Sequence, residues 1–274
     1  MEHIAIRRGL VPTALGHVHY REAGEGPAIV LLHINQQSSA LFLEMIAALA
    51  APGGMRAIAV DYPSHGDSDH VAAQPSIPDY AHCVREVLAA LGIDRATVLG
   101  EATGAAVAVE MANAWPDMVR GVVLVNCPFL GDEAMRAALL DEMMHQLRPA
   151  DDTGYPKLRT VPFMLEQDPD HAPMRPTQSW MDRINQAQME AGRDRWQALV
   201  ALTRYDLGAA LERLTCPALL LMGERFYFGH RADEIRRRVR HLRYEVLKGA
   251  RFCATWEFAE RIADRAAAFA REGA

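Results

Sequence analysis

The stretch VLGEATGA, residues 98–105, decides the fold. It joins an apolar run typical of a strand to a segment typical of a helix, and Gly100 and Gly104 flank the junction. Small residues at these places let a strand turn sharply into a helix, so that the central residue is presented at the carboxyl end of the sheet beside a helix N-terminus. The central residue here is Ala102, whose methyl group carries no reactive atom.

Apolar runs of strand length alternate with longer segments of helical period on both sides of this turn. The alternation is typical of an α/β fold, in which a mostly parallel sheet is covered by helices on both faces. Strands are predicted at residues 28–33, 56–61, 96–100, 121–126, 218–223 and 243–247, after two antiparallel edge strands within residues 5–22. Helices are predicted at residues 41–51, 78–91, 104–114, 233–240 and 257–271.

The alternation stops between Cys127 and Cys216, where about ninety residues pass without a strand-like run. Helical pieces at residues 133–147, 178–191 and 194–202 are joined here by a proline-rich stretch, residues 149–176. Such a length is too great for an ordinary connection between strands. We therefore predict a core formed by residues 1–127 and 216–274, with a helical lid inserted at residues 128–215.

Charge and cysteine content exclude several classes of function. The net charge is −6, with Lys and Arg interleaved among more numerous Asp and Glu, so neither nucleic acid nor an anionic membrane is expected as a partner. The four cysteines form no CxxC pair, which argues against a zinc knuckle or a disulfide scaffold. We see no metal-ligand constellation and no nucleotide-binding loop, so no metal and no cofactor are expected.

The expected partner is a small molecule, and a homodimer stays open as the oligomeric state. The N-terminal residues lack an apolar signal core, and no stretch approaches the ~18 apolar residues of a membrane span. A cytoplasmic location is therefore expected.

The order of the motifs resembles the α/β-hydrolase superfamily over residues 16–269. The matching segments are LLHI at 31–34, DYPSHGDS at 61–68, VLGEATGA at 98–105 and CPALLLMGE at 216–224. The resemblance implies the α/β-hydrolase fold with a lid. It also implies that the backbone amides of Ile34 and Thr103 form an oxyanion hole, a feature that depends on the backbone alone.

The same resemblance shows where a catalytic triad would stand. Ala102 takes the place of the nucleophile, Phe226 that of the acid after Gly223, and Phe252 that of the histidine before the last helix. A serine hydrolase needs all three reactive groups, and their removal costs on the order of a million-fold in turnover. We therefore expect no serine-esterase activity, and Ala102 equally lacks the carboxylate that an epoxide hydrolase or haloalkane dehalogenase would need.

Glu101 and His33 are the candidate catalytic groups that the sequence leaves. Glu101 adjoins the centre of the turn, where a buried carboxyl could act as general acid or base; alternatively, its side chain points away from the cleft and accepts hydrogen bonds from neighbouring strand ends. His33 ends a strand beside the expected cleft and could act as a base or electrophile. Its alternative role is structural.

Several other residues are expected to line the pocket. Asn35 and Gln36 belong to a loop rich in amides and hydroxyls, which could bind a carbonyl or hydroxyl of a ligand or simply cap the loop. Cys127 ends a strand near the same rim, although a structural thiol is the plainer interpretation. His230 could swing in from the loop after Phe226, and Trp180 belongs to the aromatic side chains expected to roof an apolar cavity.

Two functions remain open from the sequence. The first is an atypical enzyme, a lyase, cyclase or hydrolase that works without the triad on a small apolar substrate bearing a carbonyl group. The second is a pseudoenzyme that binds a small ligand or a protein and catalyses nothing, since two phenylalanines would turn a polar catalytic corner into a hydrophobic wall.

Overall fold

One eight-stranded sheet forms the centre of the molecule. The computed structural model describes residues 4–51, 54–146, 154–167 and 172–272. The strands are β1 (Arg7–Thr13), β2 (Gly16–Ala23), β3 (Ala28–Leu32), β4 (Arg56–Val60), β5 (Ala96–Glu101), β6 (Val119–Val125), β7 (Ala218–Gly223) and β8 (Leu242–Leu247). Their order across the sheet is β1-β2-β4-β3-β5-β6-β7-β8, with β1 and β2 antiparallel and all later pairs parallel.

Helices cover both faces of this sheet. They are α1 (Leu43–Leu49), α2 (Ile77–Ala90), α3 (Thr103–Ala114), α4 (Glu133–Gln146), α5 (Val161–Gln167), α6 (Gln178–Ala191), α7 (Gln197–Arg204), α8 (Leu207–Glu212), α9 (Ala232–Arg238), α10 (Ala254–Glu257) and α11 (Ala259–Glu272). Because the central strands are apolar on both sides, the sheet separates two hydrophobic clusters, one around α2 and α3 and the other around α1 and α11. The predicted fold class is confirmed.

The last helix differs from the prediction. A single helix is expected at residues 257–271, but the chain forms the short α10 and then α11, with a break at Phe258. Cys253, which has a left-handed φ of 55°, caps the N-terminus of α10, and α10 begins three residues earlier than expected. The first two residues of α10 thereby come within hydrogen-bonding distance of Glu101, the last residue of β5.

Helices α4 to α8 lie between β6 and β7 in the chain, within the segment predicted as a lid. Two of them, α5 and α8, are not anticipated by the sequence pattern, and α5 falls within the proline-rich stretch. Residues 147–153 and 168–171 of the predicted lid lie outside the described residues. On the surface, Arg183 of α6 donates two hydrogen bonds, of 2.7 and 2.9 Å, to the carboxylate of Glu44 in α1, which links the lid segment to the core.

Within the described ranges, we find no helix with the length and apolar character that crossing a membrane requires.

Candidate functional site

The sharp bend between β5 and α3 places Ala102 at its apex. Ala102 has φ 49° and ψ −108°, a conformation that L-residues rarely adopt and that costs about 1–3 kcal/mol. The flanking glycines make the bend tight, because a Cβ on Gly100 would lie 2.0 Å from the carbonyl oxygen of Gly104. A Cβ on Gly104 would lie equally close to the carbonyl oxygen of Leu32. The bend therefore forms as the glycine spacing indicates, and the strain falls on a residue without a reactive side chain.

Ala102 lines a cavity of about 330 Å³ at the carboxyl end of the sheet. The loops after β3, β5, β6, β7 and β8 form one side of the cavity, and residues of α4, α5, α6 and α7 form the other. Its volume lies in the range of small-molecule pockets, and apolar and aromatic side chains dominate its wall. This is therefore the candidate functional site.

Phe226 and Phe252 meet on the wall of this cavity. Phe226 follows β7, Phe252 follows β8, and their ring centroids are 4.9 Å apart with the planes inclined by 62°. Such edge-to-face packing is favourable for two aromatic rings. Since both rings and Ala102 line the same cavity, the structure brings together the three positions at which the sequence comparison places acid, histidine and nucleophile.

The predicted oxyanion-hole residues lie at the same place. Ile34 lines the cavity, and Thr103 directly follows Ala102 as the first residue of α3. Within the described ranges, neither backbone N–H has a hydrogen-bond acceptor. Thr103 is fully buried, and its hydroxyl donates to Oδ1 of Asn35 at 3.5 Å. Two free amide donors therefore accompany the bend.

Glu101 does not line the cavity. Its buried carboxylate accepts hydrogen bonds from the backbone amides of Ala254, at 2.7 Å, and Thr255, at 3.2 Å, from the Thr255 hydroxyl, and from Nδ2 of Asn126 at 3.1 Å. Burial raises the pKa of Glu101, against the lowering effect of these hydrogen bonds. Because successive residues of a strand point to opposite faces, the carboxylate turns away from the cavity towards the N-terminus of α10. Its position corresponds to the alternative, structural interpretation.

His33 also lies outside the cavity wall and is fully buried. Its Nδ1 donates to the carbonyl oxygen of Ile34 at 2.7 Å, and its Nε2 accepts from the amide of Tyr62 at 3.2 Å. Burial lowers the pKa of His33 to about 4, and the neighbouring His65 lowers it further. Both ring nitrogens are thus engaged, and the imidazole supports the loop that carries Ile34.

The other predicted pocket residues divide into two groups. Asn35, Gln36 and Trp180 line the cavity. Cys127 is fully buried elsewhere, and burial raises the pKa of its thiol to about 12. His230 is exposed, and its Nδ1 lies 3.0 Å from the carbonyl oxygen of Tyr227, on its own loop. In this structure His230 lies on the surface and does not line the cavity.

The sequence pattern does not mark Arg159 and Gln188, two polar residues of the cavity wall, and the wall also contains Cys253. Gln188 donates to Oε1 of Gln36 at 2.9 Å, which joins α6 to the loop after β3. Burial raises the pKa of the Cys253 thiol, as does the nearby Glu101 carboxylate, while the Trp180 indole lowers it. Arg159 and Gln188 belong to the lid segment, where no motif marks the inward-facing residues.

A cluster of His19, Asp61 and Asp67 lies outside the cavity, with ligand atoms within 4.8 Å of one another. Asp61 already accepts from His19 Nδ1 at 2.8 Å, from the Asp67 amide at 3.1 Å and from the Ser39 amide. Burial would raise the pKa of Asp61, but hydrogen bonding to His19 and the nearby imidazoles keep it below its usual value. The cluster therefore links β2 and the loop after β4 to Ser39, which follows β3 in the chain.

Comparison with known proteins agrees with this architecture. Haloalkane dehalogenase 2 of Mycobacterium bovis is 35% identical over 115 residues, which cover 42% of this chain and 40% of that protein. The 2-(acetamidomethylene)succinate hydrolase of Mesorhizobium japonicum is 31% identical over 121 residues, covering 44% of this chain and 43% of the relative. The aligned regions thus span less than half the length of these curated relatives.

Similarity to solved structures extends over the whole fold. The enol-lactonase from Burkholderia xenovorans LB400 superposes with a TM-score of 0.74 at 22% identity, covering 95% of this chain and 99% of the lactonase. A family model described as the alpha/beta hydrolase fold matches residues 27–256, which include the bend, the cavity loops and the lid segment. The chain therefore belongs to the alpha/beta hydrolase fold family.

Proposed function

We propose that this chain is an enzyme that acts on a small, largely apolar substrate bearing a carbonyl group, and that it does so without a nucleophile from the bend. The reaction class is a lysis, cyclisation or hydrolysis that forms no acyl-enzyme. The observation that supports this most directly is the strained Ala102 between two free amide donors, those of Ile34 and Thr103. Two of the relatives are a haloalkane dehalogenase and a 2-(acetamidomethylene)succinate hydrolase, and both are consistent with catalysis by this chain.

The two amides would polarise a carbonyl oxygen placed over Ala102. A fixed N–H donor that faces the developing negative charge contributes about 2.7–4 kcal/mol to the stability of a transition state. The methyl group of Ala102 leaves space where a hydroxyl or carboxylate would otherwise stand. The carbonyl carbon therefore remains open to attack by water or by another group of the substrate itself.

A second candidate, ligand binding without catalysis, is favoured by a separate observation. Among the described residues that line the cavity there is no Asp, Glu, His or Lys, and the groups of the wall that could transfer a proton are the Cys253 thiol and the Tyr227 hydroxyl. In the enzyme, the protons would therefore move to and from water, the substrate or one of these two groups. In a pure binding protein, they would not move at all.

The test separates the two candidates. The purified protein is incubated with lactones, enol esters and β-diketones of cavity size, and substrate loss is followed by mass spectrometry beside the ligand-induced rise in Tm. Consumption of at least one compound supports the enzyme. A raised Tm without consumption of any compound supports the binding protein and contradicts the enzyme.

A matched pair of variants then tests the role of the amides. Thr103→Pro removes one N–H at the first residue of α3 but also disfavours the backbone conformation of Ala102, while Thr103→Ala keeps the N–H and removes only the hydroxyl. We expect Thr103→Pro to lower turnover by about 100-fold and Thr103→Ala to stay near the original rate. Urea unfolding shows whether each variant is folded, and wild-type turnover in folded Thr103→Pro would contradict the proposal.

A further inference from the structure

The charge on the cavity wall is unbalanced. Arg159, which precedes α5, is the one charged side chain among the described residues that line the cavity. A guanidinium stays protonated in proteins and matches the two oxygens of a carboxylate with parallel N–H donors. The wall offers this cation no carboxylate of its own.

Arg159 is fixed at its backbone and unpaired at its side chain. Its amide donates to Oδ1 of Asn185 at 2.9 Å, and its carbonyl oxygen accepts from Nδ2 of the same residue at 2.8 Å. This double contact anchors Arg159 on α6. The half-buried guanidinium reaches only the sulfur of Met164, at 3.6 Å, and no ion pair with a described residue is formed. A cation in this position is left to pair with a bound molecule.

Further donors face the same cavity. The indole Nε1 of Trp180 is buried, and among the described residues it faces only the thiol of Cys253, a weak acceptor. The amide of Ile34 is free. A buried donor without a good acceptor costs free energy. A ligand with several acceptors is therefore bound more tightly, because it forms the hydrogen bonds that the protein itself does not make. The side chains of Gln36 and Gln188 are hydrogen-bonded to each other, so they satisfy few of these donors.

We propose that the cavity selects a small apolar molecule that carries a carboxylate, with Arg159 as the residue that binds this group and determines specificity. The proposal deepens the proposed function, since it assigns the substrate to the carbonyl-bearing carboxylates. The apolar wall accepts the body of the molecule. The guanidinium binds its charged end, and the carbonyl reaches the amides beside Ala102.

The experiment measures binding by titration calorimetry with matched probes. Benzoate, phenylacetate, cinnamate and hexanoate are each compared with the corresponding primary amide, which has nearly the same shape but no charge. We expect at least one acid to bind, and its amide to bind about tenfold to hundredfold more weakly. Equal binding of every acid and its amide, or binding of none of the acids, overturns the proposal.

Three variants locate the effect. Arg159→Gln should weaken binding of the acid about tenfold to hundredfold and leave the amide unchanged, whereas Arg159→Lys, which keeps the charge but loses the paired N–H donors, should bind the acid with an affinity between those of the original protein and Arg159→Gln. Arg193→Gln is the matched control, because Arg193 belongs to the same segment but lies over the ring of Tyr155, outside the cavity wall. Acid affinity that survives Arg159→Gln, in a variant whose Tm is unchanged, also overturns the proposal.

Failure of this proposal can be told apart from failure of the proposed function. Carboxylate binding that depends on Arg159, without consumption of any carbonyl compound, keeps the anion site and refutes catalysis. Turnover of a carbonyl compound, together with equal binding of every acid and its amide, refutes the anion site and keeps catalysis.

Discussion

Acidification should destabilise the protein through His33. The ring is buried as the neutral tautomer with hydrogen on Nδ1, because Nδ1 donates to Ile34 and Nε2 accepts from Tyr62. A proton added to Nε2 would oppose the Tyr62 amide and place a charge in a buried site. Burial accordingly lowers the pKa of His33 from 6.5 to about 4, with a further contribution from His65 and partial opposition from Asp61.

The size of the effect follows from linkage. Between pH 6.5 and about 4, the unfolded chain binds a proton at this histidine and the folded chain does not, so the free energy of unfolding falls as the pH falls. A difference of one in pKa between the folded and the unfolded chain corresponds to about 1.36 kcal/mol. The free energy of unfolding therefore falls by about 3 kcal/mol between pH 7 and pH 4. The stabilisation is fully present above pH 6.5.

Urea unfolding of the original protein and of His33→Gln, from pH 7 to pH 4, measures this quantity. Glutamine does not titrate, so the stability of the variant should fall by about 3 kcal/mol less over the same window. Other buried groups, such as His65, are present in both proteins and largely cancel in the difference. Parallel stability profiles would refute the account of His33 as a neutral, structural group.

The remaining predictions concern the bend. Glu101→Gln should lower the free energy of unfolding by about 2–4 kcal/mol, because an amide N–H₂ then faces the donors of Thr255 and its neighbours; a urea midpoint equal to that of the original protein would contradict this. Since the pKa of Glu101 is raised in the folded state, its contribution to stability falls as the pH rises above 4.5, and Glu101→Gln should lack this component of the profile. Ala102→Ser should remain unlabelled by a fluorophosphonate probe, whereas Ala102→Ser with Phe252→His should be labelled; labelling of the single variant would reveal a base that the described cavity wall does not contain.

The sequence predicts the core better than the cavity, for physical reasons. Buried parallel strands need apolar runs on both faces, and tight turns need glycine, so the sheet and the bend leave local signals that a single sequence carries. Ile34, Ala102, Phe226 and Phe252 are found for the same reason, because each directly follows a strand or sits in a recognisable turn.

The side chains that define the chemistry of the wall leave no such signal. Arg159 lies in a proline-rich stretch, and its direction depends on Asn185, which contacts it from a separate helix. The orientation of Glu101 depends on donors at Ala254 and Thr255, far away in the sequence. The alternation of side chains along a strand already favours a Glu101 side chain that points away from the cavity. The residues that donate hydrogen bonds to it are known only from the three-dimensional structure.

The division of the cavity wall between two parts of the chain has a kinetic consequence. A molecule held between α5 and α6 on one side and the loops of the sheet on the other leaves faster when these surfaces separate. Its residence time then depends on how often they separate, and contacts that never touch the molecule, such as the pair formed by Arg183 and Glu44, affect the dissociation rate. Affinity and exchange rate can therefore change independently of each other in this protein.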